Sequence, residues 1–370
     1  MRLSIFFYKS KINMLIIMLA TIFYFSCSDK EPVVPDEVGI NIVIKNWSIS
    51  NKENSGLPDN EIRALAVDNK NYLWVGTFNN GIAKFDGSKW TKYDTNNSGL
   101  SNNSIWCISI DNNNNVWIGT SNGLTKFDGT NWTVYNASNS PIPYRYILSL
   151  AVDKNNLLWI GCGHFTAGGI LSFDGNSWKI YTKENSSLPS SIINVIHVDE
   201  ENNKWIGTPM GLVKIDNQNN WSVYTTNNSG LMFGVNAVTT DLHNNVWIGS
   251  NELERLDYGH YYGGLQKFDG KNWFDYRPHP NGEYNPKAVV SNRVDHIVCD
   301  RLGYLLIATE TEWKYPYNLS FFKNGVWKNL ADIAQDFPTN PFIRDIKIDK
   351  NNTVWLATQL GVINFSYYSK

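Results

Sequence analysis

Seven side chains recur five residues ahead of a repeated aspartate: Arg63, Trp106, Leu148, Asn194, Asn236, Asp295 and Arg344. Five of them carry a charge or an amide, while their neighbours stay apolar or small. Guanidinium, amide and carboxylate groups converging on one mouth could orient a polar ligand by hydrogen bonds. A solvated channel lining is the alternative. A second set is aromatic, with Tyr261, Tyr262, Trp313, Tyr315 and Tyr317 near His260, Glu252, Glu254 and Glu310. Rigid amphipathic rings beside hydrogen-bonding groups suit a sugar face or a protein partner. Glu252 and Glu310 could flank a glycosidic bond if the fold brought them together. No HExxH motif occurs, and no catalytic residue is assigned. No cofactor or metal is expected either. The Asp-Asn-rich segments resemble calcium loops only superficially, because hairpins need just such turn formers.

Those residues must be positioned by a repeat. The aspartates pair with a residue six places on: Asp68/Trp74, Asp111/Trp117, Asp153/Trp159, Asp199/Trp205, Asp241/Trp247, Asp300/Leu306 and Asp349/Trp355. A second tryptophan series, Trp47, Trp90, Trp132, Trp178, Trp221, Trp273 and Trp327, interleaves with the first. Such self-similarity marks a repeat architecture. Within one repeat, Ile105–Ile110, Val116–Thr120, Gly123–Phe127 and Trp132–Tyr135 read as four short strands separated by Asn/Asp/Gly turns, hence an antiparallel meander.

A sheet with tryptophans and isoleucines on both faces must be sandwiched between copies of itself. Radial repetition achieves this as a β-propeller; an open solenoid or two smaller domains are the competing arrangements. Gly76, Gly119, Gly161, Gly207 and Gly249 follow the second strand's aromatic and suit close sheet-to-sheet contact near the axis. The last repeat supplies only three strands, whereas Asn46-Trp47-Ser48-Ile49-Ser50 is an orphan fourth strand before the first repeat. The amino end is therefore expected to complete the final blade and remove two exposed sheet edges. The fold class is all-β: one seven-bladed propeller over residues 40–370, with four-stranded antiparallel blades.

The pattern I-x-x-[IL]-x-[VI]-D-x-x-x-x-[LV]-W-[IV]-G-T-x-x-G-[IL]-x-[KR]-[FY]-D-G-x-x-W is clearest at Ile62–Trp90 and Ile105–Trp132. It resembles the two-component regulator propeller repeat, and blade 6 departs most, with Leu306-Ile307-Ala308-Thr309 in place of W-I-G-T. In that family such repeats form periplasmic sensor regions of hybrid histidine kinases, often as paired propellers for carbohydrate-derived signals. The resemblance implies a ligand- or partner-binding scaffold. This chain is expected to carry one propeller and no kinase.

In a meander blade with strands a to d, the b–c and d–a connections share one face. From strand b to the strand-c aromatic the usual distance of 10 or 11 residues grows to 14 in blade 3, 21 in blade 5 and 16 in blade 6. Growth on one face of a rigid scaffold is where binding concentrates. The start of strand a, carrying the Arg63–Arg344 set, opens onto the same face at the channel mouth. The expected function is non-catalytic binding of an oligosaccharide or an envelope protein. A glycan lyase or hydrolase, and a structural subunit of an envelope complex, are the alternatives.

The net charge is −2 with no basic stripe, which argues against a nucleic-acid partner. Cys107, Cys162 and Cys299 occupy strand positions that are small or aliphatic in other repeats, so they read as packing residues. Arg2, Lys9 and Lys11 precede an apolar run, Met14–Phe25, with the length of a signal-peptide core and short of the ~20 residues that span a bilayer. Ser26-Cys27 follows, which resembles a bacterial lipoprotein signal of the Bacteroidota type. Residues 1–26 are thus expected to be a signal peptide, Cys27 the acylated first residue, and 27–39 a tether containing Pro32 and Pro35. The address would be the outer membrane, facing the periplasm or the exterior. Replacing Cys27 by Ser should move the protein from the membrane pellet to the soluble fraction, and a variant that stays in the pellet would contradict acylation at this residue.

Overall fold

The computed structural model describes residues 42–164, 167–254, 261–276, 293–309, 319–334, 336–338 and 341–369. The expected signal peptide and tether therefore lie outside the described residues. Seven four-stranded antiparallel sheets form the blades of one β-propeller. In blade 1 strands a to d are Ile62–Val67, Leu73–Thr77, Ile82–Phe85 and Trp90–Tyr93. Strand a of each blade packs against strand a of the next, so seven inner strands surround the axis. The amino-terminal strand, Ile42–Ser50, pairs antiparallel with Gly361–Ser369 from Ile42↔Ser369 to Ser50↔Val362. Blade 7 is thus closed by the two ends of the ring. Trp47 falls in a bulge between Lys45 and Ser48, and its ring meets Phe337 at 5.6 Å. A single helical turn, Leu330–Ile333, lies between blades 6 and 7.

Each repeated aspartate organises its a–b turn. Asp111 Oδ1 accepts the N–H of Asn113 at 3.0 Å and of Asn115 at 2.8 Å, while Oδ2 accepts the indole N–H of Trp117 at 2.9 Å. The same indole bond recurs at Asp68, Asp153, Asp199, Asp241 and Asp349 over 2.8–3.1 Å. Three residues after the aspartate, Asn71, Asn114, Asn156, Asn202, Asn244 and Asn352 adopt positive φ, a conformation asparagine tolerates better than most residues. Asparagine also links blades. Asn114 Oδ1 accepts the N–H of Asn69, Asn156 that of Asn112 and Asn202 that of Lys154, each at 2.8 Å. Across the closure, Asn71 accepts the N–H of Lys350 at 3.1 Å. These oxygens serve turns and blade seams.

Blade 6 solves the missing tryptophan differently. Leu306 replaces the indole donor, and the hydroxyl of Tyr367 from blade 7 donates to Asp300 Oδ2 instead. Desolvation, then the Asp300 charge, holds that hydroxyl far above the usual tyrosine range, so it remains a donor. Inter-blade packing is close elsewhere too. A Cβ on Gly76 would meet Ile105 Cγ2 at 2.5 Å, and one on Gly161 would meet Ile193 Cγ2 at 2.6 Å. Cys107, Cys162 and Cys299 are free thiols. Burial pushes Cys162 and Cys299 to about 12.

Tyr367→Phe should lower stability by about 1.5–3 kcal/mol, because a buried carboxylate loses a hydrogen bond. The neighbouring Tyr368→Phe is the control. Denaturant melts that rank the two equally would remove Tyr367 from its role as the substitute for the indole.

Candidate functional site at the channel mouth

The ladder between strands a and b slips by one residue near its start. In blade 1 Ile62 pairs with Thr77 and Ala64 with Gly76, leaving Arg63 unpaired between them. The same slip isolates Trp106, Leu148, Asp295 and Arg344. In blades 4 and 5 Asn194 and Asn236 stand just before the ladder, donating N–H to Gly207 O and Gly249 O at 2.9 Å. A bulge inserts one residue and re-aims its side chain. The residue before it remains in the core: Ile62, Ile105, Ile147, Ile193, Val235, Val294 and Ile343 are all buried.

All seven residues line one cavity of about 390 Å³ at the mouth, together with Arg293, His296 and Phe342. They also line a cavity of about 450 Å³ that includes deeper strand-a residues such as His197, Asp345 and Lys347. The structure thus brings the whole sequence-derived set together, each member half-buried. The aromatic set is placed otherwise. His260, Trp313, Tyr315 and Tyr317 lie outside the described residues, as does Cys27, and Tyr261 and Tyr262 are described only in their backbone. That backbone continues the blade 5 hairpin: strands Val246–Glu254 and Tyr261–Phe268 pair as far as Glu254↔Tyr261. In blade 3 the hairpin likewise extends to His164↔Ala167. Inserted residues in these two blades thus lengthen a ladder rather than forming loose loop alone.

The mouth is electrically uneven. The Arg63 guanidinium lies between two rings, 3.7 Å from the Phe78 centroid and 4.0 Å from that of Trp106, a cation–π sandwich. Desolvation, then the charge of Arg344, lowers its pKa to about 10, against an opposing pull from Glu61; the group stays cationic near neutrality. Arg344 pairs with Glu61, and Arg293 with Asp295 at 3.4 Å. The indole N–H of Trp106 donates to Ser121 Oγ at 2.8 Å. Opposite, Asn194 Nδ2 donates to Val235 O at 3.0 Å and to Asn236 Oδ1 at 2.9 Å. Two donors in this mouth are buried with no acceptor: Arg63 Nη1 and Asn236 Nδ2. Sequence reasoning missed Glu61 and Phe78, which flank strands a and b of blade 1. Phe78 directly follows the Trp74-Val75-Gly76-Thr77 motif, and an aromatic at that turn was the available signal.

Two stretches, residues 56–79 and 99–122, match the family model described as two component regulator propeller. The chain carries regulator-propeller repeats. No curated protein sequence matches it. Among solved structures, the extracellular domain of BT3049, a protein assigned to a hybrid two component system of B. thetaiotaomicron, is similar at TM-score 0.65 and 19% identity; the match covers 89% of this chain and 42% of that one. The chain thus spans less than half of that relative. PorZ of Porphyromonas gingivalis, described as a surface component of the type-IX secretion system, matches at TM-score 0.65 and 18% identity, over 84% of this chain and 47% of that one. Virginiamycin B lyase from Staphylococcus aureus matches at TM-score 0.62 and 16% identity, over 86% of this chain and 98% of that one. At these identities the likeness is one of fold.

Deeper in the channel, His197 Nε2 is 3.0 Å from Thr240 Oγ1. Desolvation lowers its pKa to about 4, against the pull of Asp199 and Glu200. His296 is lowered for the same reason, although Asp345 and Asp295 oppose the shift. With folded values below the ordinary 6.5, both favour the folded state above that pH. As pH falls from about 6.5 towards 4 the unfolded chain takes up protons first, so stability is lost. Thermal melts should show Tm decreasing across this window, and less steeply in His197→Gln. An equal slope in that variant would mean His197 is not held neutral.

Proposed function

We propose that this protein is an envelope-anchored, non-catalytic propeller that binds an oligosaccharide, or a neighbouring envelope protein, through the channel mouth. One observation carries the reading. The variable residues of seven strands are raised on bulges or stand at strand starts around one mouth, where two donor groups have no acceptor. A merely structural ring would not need this polar variety against an otherwise apolar strand. The likeness to propellers described as extracellular domains and as a surface component supports an envelope setting, and Cys27 would supply the anchor. Tyr261 and Tyr262, with His260, Trp313, Tyr315 and Tyr317, would extend the surface on the same face.

A lyase or hydrolase reading draws its support from the virginiamycin B lyase and a GH74 enzyme among the similar folds. The test is a glycan array with the soluble domain, followed by calorimetry and product analysis on each hit. Binding without turnover supports the proposal, and released product supports the alternative. Trp106→Ala should weaken binding by about 1 kcal/mol or more, as for an aromatic anchor. Unchanged affinity would move the site to the Tyr261–Trp313 side.

A further inference from the structure

From the donors left without partners in the mouth, we infer that the ligand is an acidic saccharide, its carboxylate held by Arg63 and its hydroxyl or ring oxygens by Asn236. The inference rests on the oligosaccharide reading above and adds the charge of the sugar.

Arg63 is locked before any ligand arrives. Phe78 and Trp106 cover the two faces of its guanidinium at 3.7 and 4.0 Å, leaving only the N–H edge of the fork to be used. On that edge Nη1 is buried without an acceptor. A planar, face-covered guanidinium accepts a carboxylate edge-on, by two parallel N–H···O bonds. Glu61 does not meet this need, because it is paired with Arg344. Arg344 is also close enough to oppose the charge on Arg63. Two partly desolvated cations in one mouth repel, and an entering anion would relieve that repulsion.

The far wall asks for acceptors of another kind. Asn194 uses its amide donor on Val235 O and on Asn236 Oδ1, which fixes the Asn236 amide and leaves its Nδ2 facing no acceptor. An amide N–H₂ matches neutral oxygens. A ligand carrying a carboxylate at one end and sugar oxygens at the other satisfies both walls. A plain anion would satisfy only one, and a neutral sugar would leave the guanidinium edge unmatched. Discrimination by an unpaired polar group of this sort is strong, because the analogue that lacks the partner leaves it buried and unsatisfied.

The experiment is calorimetry on the soluble domain with short oligogalacturonates and glucuronate-containing disaccharides, each beside its carboxyl-reduced counterpart. The acidic form should bind at least about tenfold tighter than the reduced form, the scale of one charge-assisted bond, and its affinity should fall as salt rises. Arg63→Gln should abolish the preference for acid while keeping residual binding of the reduced sugar. Asn236→Ala should weaken acidic and reduced sugars alike. Unchanged melting curves would confirm that both variants are folded. Equal binding of acidic and reduced forms would overturn the inference and leave the oligosaccharide reading standing. Absence of binding by every acidic saccharide at millimolar concentration would also overturn it, and if neutral glycans failed as well the oligosaccharide reading would fall with it.

Discussion

A buried carboxylate that must be fully hydrogen-bonded governs this ring. Asp68, Asp111, Asp153, Asp199, Asp300 and Asp349 are all buried. A charge in that position is costly unless its lone pairs are met. Two backbone N–H groups of the a–b turn meet one oxygen, and an indole from strand b meets the other. The turn, strand a and strand b are thereby fixed relative to one another, blade after blade. Blade 6 shows how strict the requirement is. Where leucine replaces tryptophan the aspartate remains, and a tyrosine from the next blade donates in the indole's place.

Rigidity on that face permits variation on the other. The strand-a ladder is anchored at the aspartate end, and its slip occurs at the far end, beside the axis. There the bulge separates two demands on adjacent residues. A β-branched residue stays in the core against the preceding blade, as Ile105 does against Gly76. The next residue is free to differ without cost to packing. Five such positions, with Asn194 and Asn236 just before the ladders of blades 4 and 5, give one mouth whose chemistry changes around the ring, cationic at Arg344 and Arg63, aromatic at Trp106, amide at Asn194 and Asn236, acidic at Asp295. Similar folds occur in proteins described as the extracellular domain of a hybrid two component system, a surface component of a secretion system and a lyase, as expected when the scaffold is common and the lining is not.

Much of this was legible in the residues. The aspartate–aromatic spacing marked seven blades, the orphan strand around Trp47 marked the closure, and counting back from each aspartate found the mouth. Two features were not legible. A bulge is a property of register, and Arg63 in a sequence of alternating character looks like any outward polar residue. The donor from Tyr367 lies 67 residues from Asp300 in the chain, and nothing local to either residue announces it. The aromatic turn residue Phe78 was overlooked because its significance depends on the guanidinium it covers. The residues around Trp313 fall outside the described part of the chain.

A crystal structure of the domain with a saccharide captured from a glycan array would show whether the residues at the start of strand a in the seven blades bind it. Sugar density should lie inside the ring entrance, in contact with Arg63 and Asn236 and against Trp106. Density confined to the blade 5 hairpin or to an outer strand, with the mouth filled only by solvent, would contradict it.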